Sequence, residues 1–305
     1  MPSKLLGACC LLLGLSTTAV AQTVLACEPE WAALTRVLLP EARIHTATHG
    51  RQDPHHIEAR PALIAQLRAA DLAVCTGASL EAGWLPTLQE RAGNPRVQDG
   101  RPGMFYAAQQ VPLLNPQAGF ITPFDGDVHP EGNPHLHADP RRLQAVALAL
   151  SQRMQQLWPA QAAQIAQRQA QFERRWALKL QDWERRAAPL RGRAVAAQHG
   201  SFAYLWHWLG LRQTLDLEPK PGMAPTPAHL QRVLQSLRSE PPLALVVSSY
   251  QDPRAARWLD KQLDGQLPLL SLPATVLDAG GSEALEQWFE QLLQALLLAQ
   301  GQVQR

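Results

Sequence analysis

Residues 160–187 read AQAAQIAQRQAQFERRWALKLQDWERRA, a stretch without glycine or proline. Apolar side chains recur in it at spacings of seven, four, four and three residues, namely Ile165, Phe172, Trp176, Leu180 and Trp183. This spacing places them on one face of a helix, which would be roughly 40 Å long at 1.5 Å per residue. A bundle helix would show the same pattern, but a helix of this length between two α/β halves would act as a stiff strut.

Strand-like and helix-like segments alternate on both sides of this helix. Apolar runs typical of strands lie before it at Thr23–Ala26 and Asp71–Cys75, and after it at Arg193–Ala197 and Leu243–Ser248. Helical patterns separate these runs, which predicts an α/β fold with parallel sheets. A chain of 305 residues is long enough for two such domains. Residues 100–127 are rich in glycine, proline and asparagine and are predicted to form a loop.

The N-terminus has the pattern of an export signal. Lys4 precedes the apolar run Leu5–Leu15, and small residues ending at Ala21 follow it. This order predicts a secretory signal peptide, residues 1–21, cleaved near Ala21. Val24–Cys27 also matches a lipoprotein acceptor site, so lipidation stays open as an alternative. The formal net charge of +2 gives no support for binding to nucleic acid or to an anionic membrane.

Removal of the signal would leave Cys27 and Cys75 as the cysteines of the mature chain. Each ends an apolar, strand-like run, so the two could be neighbours in one sheet. In an oxidising compartment such a pair can form a disulfide bond. Two small buried thiols explain the pattern nearly as well, and because only geometry decides between them, both readings stay open.

Three short phrases each place one imidazole in a predicted loop: Asp53-Pro54-His55, Asn133-Pro134-His135 and Gln198-His199-Gly200. The third follows a predicted buried strand, and ligands of open α/β sheets bind beyond the carboxyl ends of the strands. Taken singly, each histidine could be an exposed loop residue or a packed core residue. If the fold gathers them, they form a three-nitrogen site suited to zinc.

Residues near these phrases leave several roles open. His129 and His137 lie close to His135 in the sequence, which favours a metal site over a chance cluster but does not assign either residue. Glu58 follows His55 closely and could orient its second ring nitrogen. An open fourth coordination position could also belong to an exported zinc-dependent hydrolase with Glu58 as general base, although the sequence contains no hydrolase motif.

Several motifs resemble those of the metal-binding solute receptors of ABC importers, the zinc and manganese uptake class. They are, in sequence order, residues 52–58 (QDPHHIE), 70–81 (ADLAVCTGASLE), 133–140 (NPHLHADP), 199–211 (HGSFAYLWHWLGL) and 218–222 (EPKPG). The last of them resembles a stretch found in one branch of the family. The motifs occur in the expected order over nearly the whole mature chain, so the resemblance is specific.

The resemblance implies two α/β lobes, each with a parallel sheet flanked by helices, joined by one long rigid helix. We accordingly expect an N-terminal lobe at 22–158, the linking helix at 159–189 and a C-terminal lobe at 190–305. It also implies a periplasmic receptor, not an enzyme, that binds Zn2+ as its transported ligand. The implied partners are an ABC importer permease in the inner membrane and its cytoplasmic ATPase, and we expect a monomer. A manganese receptor of the same class is the alternative, although three neutral nitrogens suit zinc better.

Carried over by position, the metal ligands are His55 and His135 from the first lobe and His199 from the second. Many members of the class complete the site with an aspartate after the last strand, where this chain has Thr275. Asp278 lies three residues later and could substitute for it. We expect water as the fourth ligand.

Overall fold

A computed structural model describes residues 21–117, 126–277 and 280–303. The predicted signal peptide lies outside this part of the chain except for Ala21. Within the described residues, no helix has both the length and the apolar composition needed to cross a membrane.

Strands and helices alternate along the first half of the chain, as the sequence predicts. The elements are β1 (Thr23–Ala26), α1 (Pro29–Leu38), β2 (Arg43–Thr46), α2 (Pro61–Ala69), β3 (Leu72–Cys75), α3 (Leu85–Ala92) and β4 (Met104–Tyr106). These strands pair in parallel in the order β2–β1–β3–β4. Since β1 is central and the strand order reverses beside it, the carboxyl ends of β1 and β3 lie at a topological switch point, the usual place for a ligand.

The second half repeats this topology. The remaining elements are α4 (Pro140–Leu157), α5 (Ala162–Arg186), β5 (Ala194–Ala197), α6 (Ala203–Leu209), β6 (Arg212–Asp216), α7 (Pro227–Ser239), β7 (Leu245–Ser248), α8 (Arg254–Gln262), β8 (Leu269–Leu272) and α9 (Ser282–Val303). The strands pair in parallel in the order β6–β5–β7–β8, so β5 takes the place that β1 has in the first sheet. The predicted fold class, two parallel sheets flanked by helices with one long helix between them, is confirmed.

Two strands differ from the expectation. The prediction of a loop for residues 100–127 is wrong in part, because β4 lies within that range, and β6 had no predicted counterpart. β4 is only three residues long. β6 is an edge strand whose residues alternate between exposed and half-buried, so it lacks the continuous apolar run of a strand buried on both faces. Pairing with a neighbouring strand, rather than composition, makes both segments strands.

Helix α5 carries the apolar face predicted for it. Ile165, Phe172, Trp176 and Trp183 are buried, and Leu180 is half-buried. The helix packs against α1, α4 and α9, and one continuous cluster of buried apolar side chains includes residues from both halves of the chain. The long helix is therefore part of a shared core rather than a rod exposed to solvent on all sides.

Cys27 and Cys75 are joined by a disulfide bond. Cys27 directly follows β1 and Cys75 ends β3, and the two strands are hydrogen-bonded neighbours. The backbone N–H of Cys27 donates to the carbonyl of Val74 at 2.8 Å. The bond cross-links the two central strands at the carboxyl edge of the first sheet.

Two buried carboxyl groups, Glu28 and Glu81, lie next to this disulfide, each only 3% exposed. The Thr76 hydroxyl donates to Glu28 Oε2 at 2.9 Å, and the backbone N–H groups of Thr76 and Gly77 donate to the Glu81 carboxylate at 2.6 and 3.0 Å. Burial raises the pKa of Glu81 to about 7, although the backbone N–H donors oppose the shift. Burial and the charge of Glu81 also raise the pKa of Glu28 well above its usual range.

The Glu81→Gln variant should flatten the pH dependence of stability. Between the unfolded pKa near 4.5 and the folded pKa of about 7, the folded protein binds more protons than the unfolded chain, so the free energy of unfolding falls as the pH rises. From pH 5 to pH 8 we expect the wild type to lose on the order of 1–3 kcal/mol more than the variant. Urea unfolding at several pH values measures this difference, and equal slopes would contradict the raised pKa.

Candidate metal centre

His55 is held in a loop that follows β2. Its ring is 7% exposed, and its Nδ1 donates to Asp53 Oδ1 at 2.7 Å. The same carboxylate oxygen accepts the backbone N–H of His55 at 3.0 Å, and the indole N–H of Trp84 donates to the Pro54 carbonyl at 2.9 Å. Burial alone would raise the pKa of Asp53, but the hydrogen bonds from His55 and the charges of His55 and His56 together outweigh it, and the pKa is lowered. A carboxylate therefore orients this imidazole, and it is Asp53 rather than Glu58.

His135 precedes α4 and is the most buried of the three predicted ligands, at 3% exposure. Asn133 Oδ1 accepts both its backbone N–H, at 2.9 Å, and its Nδ1–H, at 3.1 Å. Its Nε2 is buried and has no hydrogen-bond partner. Burial, followed by the charges of His199 and His55, holds the pKa of His135 well below its usual range. The ring is therefore neutral, with the lone pair of Nε2 unused.

His199 comes from the second half of the chain. It lies two residues beyond β5, at the carboxyl edge of the second sheet, where the strand order reverses. Its Nδ1 donates to Glu218 Oε2 at 2.8 Å, and the backbone N–H of Gly222 donates to the same oxygen at 2.8 Å. Burial lowers the pKa of His199, but the hydrogen bond and the charge of Glu218 outweigh it, and the net shift is upward. Glu218 lies two residues beyond the register pair Ala197–Asp216, so β6 places it beside His199.

The structure brings these three histidines together. One ligand atom from each of His55, His135 and His199 lies within 4.8 Å of the others. Their ring centroids form a nearly equilateral triangle, with separations of 5.8, 6.1 and 5.8 Å. In each ring Nδ1 donates to an oxygen acceptor. This leaves Nε2 as the nitrogen that can bind a metal, the usual arrangement of metal-binding histidines.

Acidic side chains surround this cluster. A cavity of about 330 Å³ beside His135 and His199 is lined in part by Asp127, Asp216 and Glu218. A second cavity, of about 290 Å³, lies against the same cluster, and Asp252 belongs to its lining. Negative side chains along an opening raise the local concentration of cations, so the electrostatics of the cleft favour the approach of a metal ion.

His129 and His137, which the sequence left unassigned, have different surroundings. The Nε2 of His129 lies 3.2 Å from the Nε2 of His55, and its Nδ1 donates to the Ala78 carbonyl at 2.9 Å. Burial, and next the charge of His55, lowers the pKa of His129 to about 4. His137 turns away from the cluster, since its Nε2 donates to the carbonyl of Ala274 at 3.0 Å.

His137 instead belongs to a buried contact between the two halves. Its Nδ1 lies 3.1 Å from Glu30 Oε1 but outside the alignment of a hydrogen bond. The hydroxyl of Thr275 donates to Glu30 Oε2. Thr275, which the resemblance in sequence places where many members of the class have an aspartate, is thus hydrogen-bonded to Glu30. Asp278, the other candidate for a fourth ligand, lies outside the described residues.

Glu58 does not take either role considered for it. Its side chain is exposed and lines a surface cavity together with Trp84 and Arg91. Glu58 is not among the described residues that line the two cavities beside the histidine cluster. The hydrolase reading therefore has no general base at this position.

Comparison with known proteins identifies similar chains. The family model described as zinc-uptake complex component A, periplasmic, matches residues 24–299. The crystal structure of ZnuA superposes with a TM-score of 0.72 at 18% identity, covering 91% of this chain and 100% of that one. No curated protein matches the chain by sequence.

Two further structures have the same fold. A mutant of the laminin-binding adhesin Lmb from Streptococcus agalactiae gives a TM-score of 0.71 at 20% identity, covering 90% of this chain and 100% of that one. The SBP FpvC from Pseudomonas aeruginosa, solved with Mn2+, gives 0.72 at 17% identity, covering 91% and 98%. At such identities the likeness concerns the fold alone.

Proposed function

The chain belongs to the family of zinc-uptake complex component A, whose members are periplasmic binding receptors rather than enzymes, and from that premise we propose that it captures Zn2+ between its two lobes through His55, His135 and His199. The observation that carries the proposal is the convergence of three buried imidazoles whose ligand atoms lie within 4.8 Å of one another. The buried Nε2 of His135, which has no partner, gains one when a metal binds.

The donor set supports zinc over manganese. Three neutral imidazole nitrogens suit zinc, whereas manganese prefers sites with more oxygen ligands. Copper would bind the same nitrogens at least as tightly, so its exclusion depends on geometry and on metal supply. Because Thr275 replaces the aspartate of related receptors and donates to Glu30, it adds no carboxylate that would shift the preference towards manganese.

In this proposal the ion is cargo and not a resident cofactor. The receptor acts in the periplasm after removal of residues 1–21, as a monomer, and passes Zn2+ to an ABC importer permease in the inner membrane with its cytoplasmic ATPase. The family description, a component of a zinc-uptake complex, supports this role. Residues 22–158 and 190–305 form the two lobes, and 159–189, which contains α5, form the link. Since His199 comes from the second half and His55 and His135 from the first, separation of the lobes would break the site.

The His199→Ala variant tests the proposal by calorimetric titration with Zn2+. Loss of the residues that orient metal ligands typically weakens metal binding 10–100-fold, so loss of a ligand should weaken zinc binding by about 100-fold or more. His207→Ala is the matched control, because His207 is an exposed residue of the nearby helix α6, and it should bind zinc as the wild type does.

Two outcomes would contradict this function. Unchanged zinc affinity in His199→Ala would remove His199 from the site. A parallel titration in which the wild type binds Mn2+ more tightly than Zn2+ would overturn the choice of metal.

A further inference from the structure

His129 lies at the edge of the proposed zinc site without a role so far. Its ring is half-buried, and its Nε2 lies 3.2 Å from the Nε2 of His55. Two ligand nitrogens bound to one tetrahedral zinc at 2.0–2.1 Å lie about 3.3 Å apart. The separation of these two nitrogens is that of a pair of ligands on one ion. His129 is not in the group whose ligand atoms all lie within 4.8 Å of one another, so its ring must move towards His135 and His199 when the ion binds.

The hydrogen bonds of both rings use Nδ1 and leave the two Nε2 atoms facing each other. A backbone carbonyl can only accept, so the bond to Ala78 places the proton of neutral His129 on Nδ1. The carboxylate of Asp53 likewise takes the Nδ1 proton of His55. In the tautomer that these two bonds select, each ring turns its Nε2 lone pair towards the other ring, which is the arrangement that a metal ion between them binds.

The backbone around His129 is anchored on the second lobe. The N–H of Asp127 donates to the Pro221 carbonyl at 2.9 Å, close to Glu218, which orients His199. A Cβ at Gly126 would lie 2.1 Å from the oxygen of Pro221, so this approach requires glycine. On the other side, the N–H of Gly132 donates to the His129 carbonyl at 3.1 Å. These contacts place the loop that carries His129 beside the cluster.

We propose that His129 is the fourth ligand, so that zinc is bound by four imidazoles rather than by three imidazoles and water. This inference rests on the proposed function and names the residue that completes the same site. It also explains how the site closes without the aspartate of related receptors, since Thr275 is hydrogen-bonded to Glu30. A fourth nitrogen in place of an oxygen ligand strengthens the preference for zinc over manganese.

Nitrogen-15 NMR of histidine-labelled protein tests the assignment directly. On addition of one equivalent of Zn2+, we expect the Nε2 resonances of four histidines to move to metal-bound positions, those of His129, His55, His135 and His199. A His129 resonance that stays in place while the other three move would overturn the inference and leave the proposed function intact. Protein in which none of the four resonances responds would overturn the proposed function itself.

A variant gives the second measurement. His129→Ala should weaken zinc binding by about tenfold or more, because even the loss of a residue that only orients a ligand has an effect of this size. The control is His49→Ala, which removes an exposed histidine and should bind zinc as the wild type does. X-ray absorption at the zinc edge should count one imidazole fewer in His129→Ala. An affinity within twofold of the wild type, together with an unchanged imidazole count, would show that His129 is only a neighbour of the site.

Discussion

The double variant His135→Ala, His199→Ala is expected to lose zinc binding at micromolar metal concentrations. It lacks one proposed ligand from each lobe, including the most buried of them, His135. If each loss costs about 100-fold, the combined loss is roughly 10⁴-fold, or about 5.5 kcal/mol. The two residues share one site, so the effects need not add, and the single variants show by how much they are coupled.

The double variant should nevertheless fold without metal. The Nε2 of His135 has no partner to lose, and Asn133 Oδ1 keeps the backbone N–H of residue 135 as a donor. Glu218 loses the His199 ring but keeps the N–H of Gly222. A loss of zinc binding therefore reports on the ligands and not on an unfolded chain, and circular dichroism of the metal-free proteins checks this.

Unfolding with and without zinc gives the measurement. A ligand that binds only the folded protein stabilises it by about 4.1 kcal/mol at a free concentration 1,000 times its Kd, so zinc should raise the unfolding midpoint of the wild type and leave that of the double variant unchanged. The control is His56→Ala, His207→Ala, which removes one exposed histidine from each lobe. Full zinc stabilisation of the His135→Ala, His199→Ala protein would contradict the site.

The parts of the molecule that could be predicted from the sequence are those with a local signal. The apolar residues around Trp176 on α5 repeat with the helical period. The buried strand β3 is a continuous apolar run, and β7 is apolar up to its last residue, Ser248. The loops that carry His55 and His135 are marked by proline. Such patterns can be recognised in the sequence because they involve only residues that are near one another in the chain.

The parts that escaped prediction depend on contacts between distant segments. Glu218 orients His199 only because β6 pairs with β5, and β6 has no strand signal of its own. Glu30 and Thr275 are 245 positions apart in the sequence, so no spacing rule could join them. His129 was visible as a histidine near His135, but its distance to His55 follows from the way its loop is anchored on the second lobe. Site residues that act through contacts between distant segments can be identified only from the structure.

The Trp176→Ala variant tests whether α5 holds the two halves together. The Trp176 indole is fully buried, stacks on Phe172 with ring centroids 5.1 Å apart, and meets Phe289 of α9 edge to face at 5.6 Å. Its N–H donates to the carbonyl of Pro140, at the start of α4, at 2.9 Å. One side chain thus joins the helix that follows His135, a proposed ligand, to the last helix of the chain.

Removing this side chain should destabilise the folded protein by about 3–5 kcal/mol, the usual cost of replacing a core tryptophan by alanine, because a large cavity forms and the Pro140 carbonyl loses its donor. Leu178→Ala is the matched control, since Leu178 lies on the same helix at 70% exposure, and it should change stability by less than about 0.5 kcal/mol. Urea unfolding at one pH, without metal, compares the three proteins. A cost below about 1 kcal/mol for Trp176→Ala would mean that α5 contributes little to the shared core, and the two lobes would then owe their arrangement to α1 and α9.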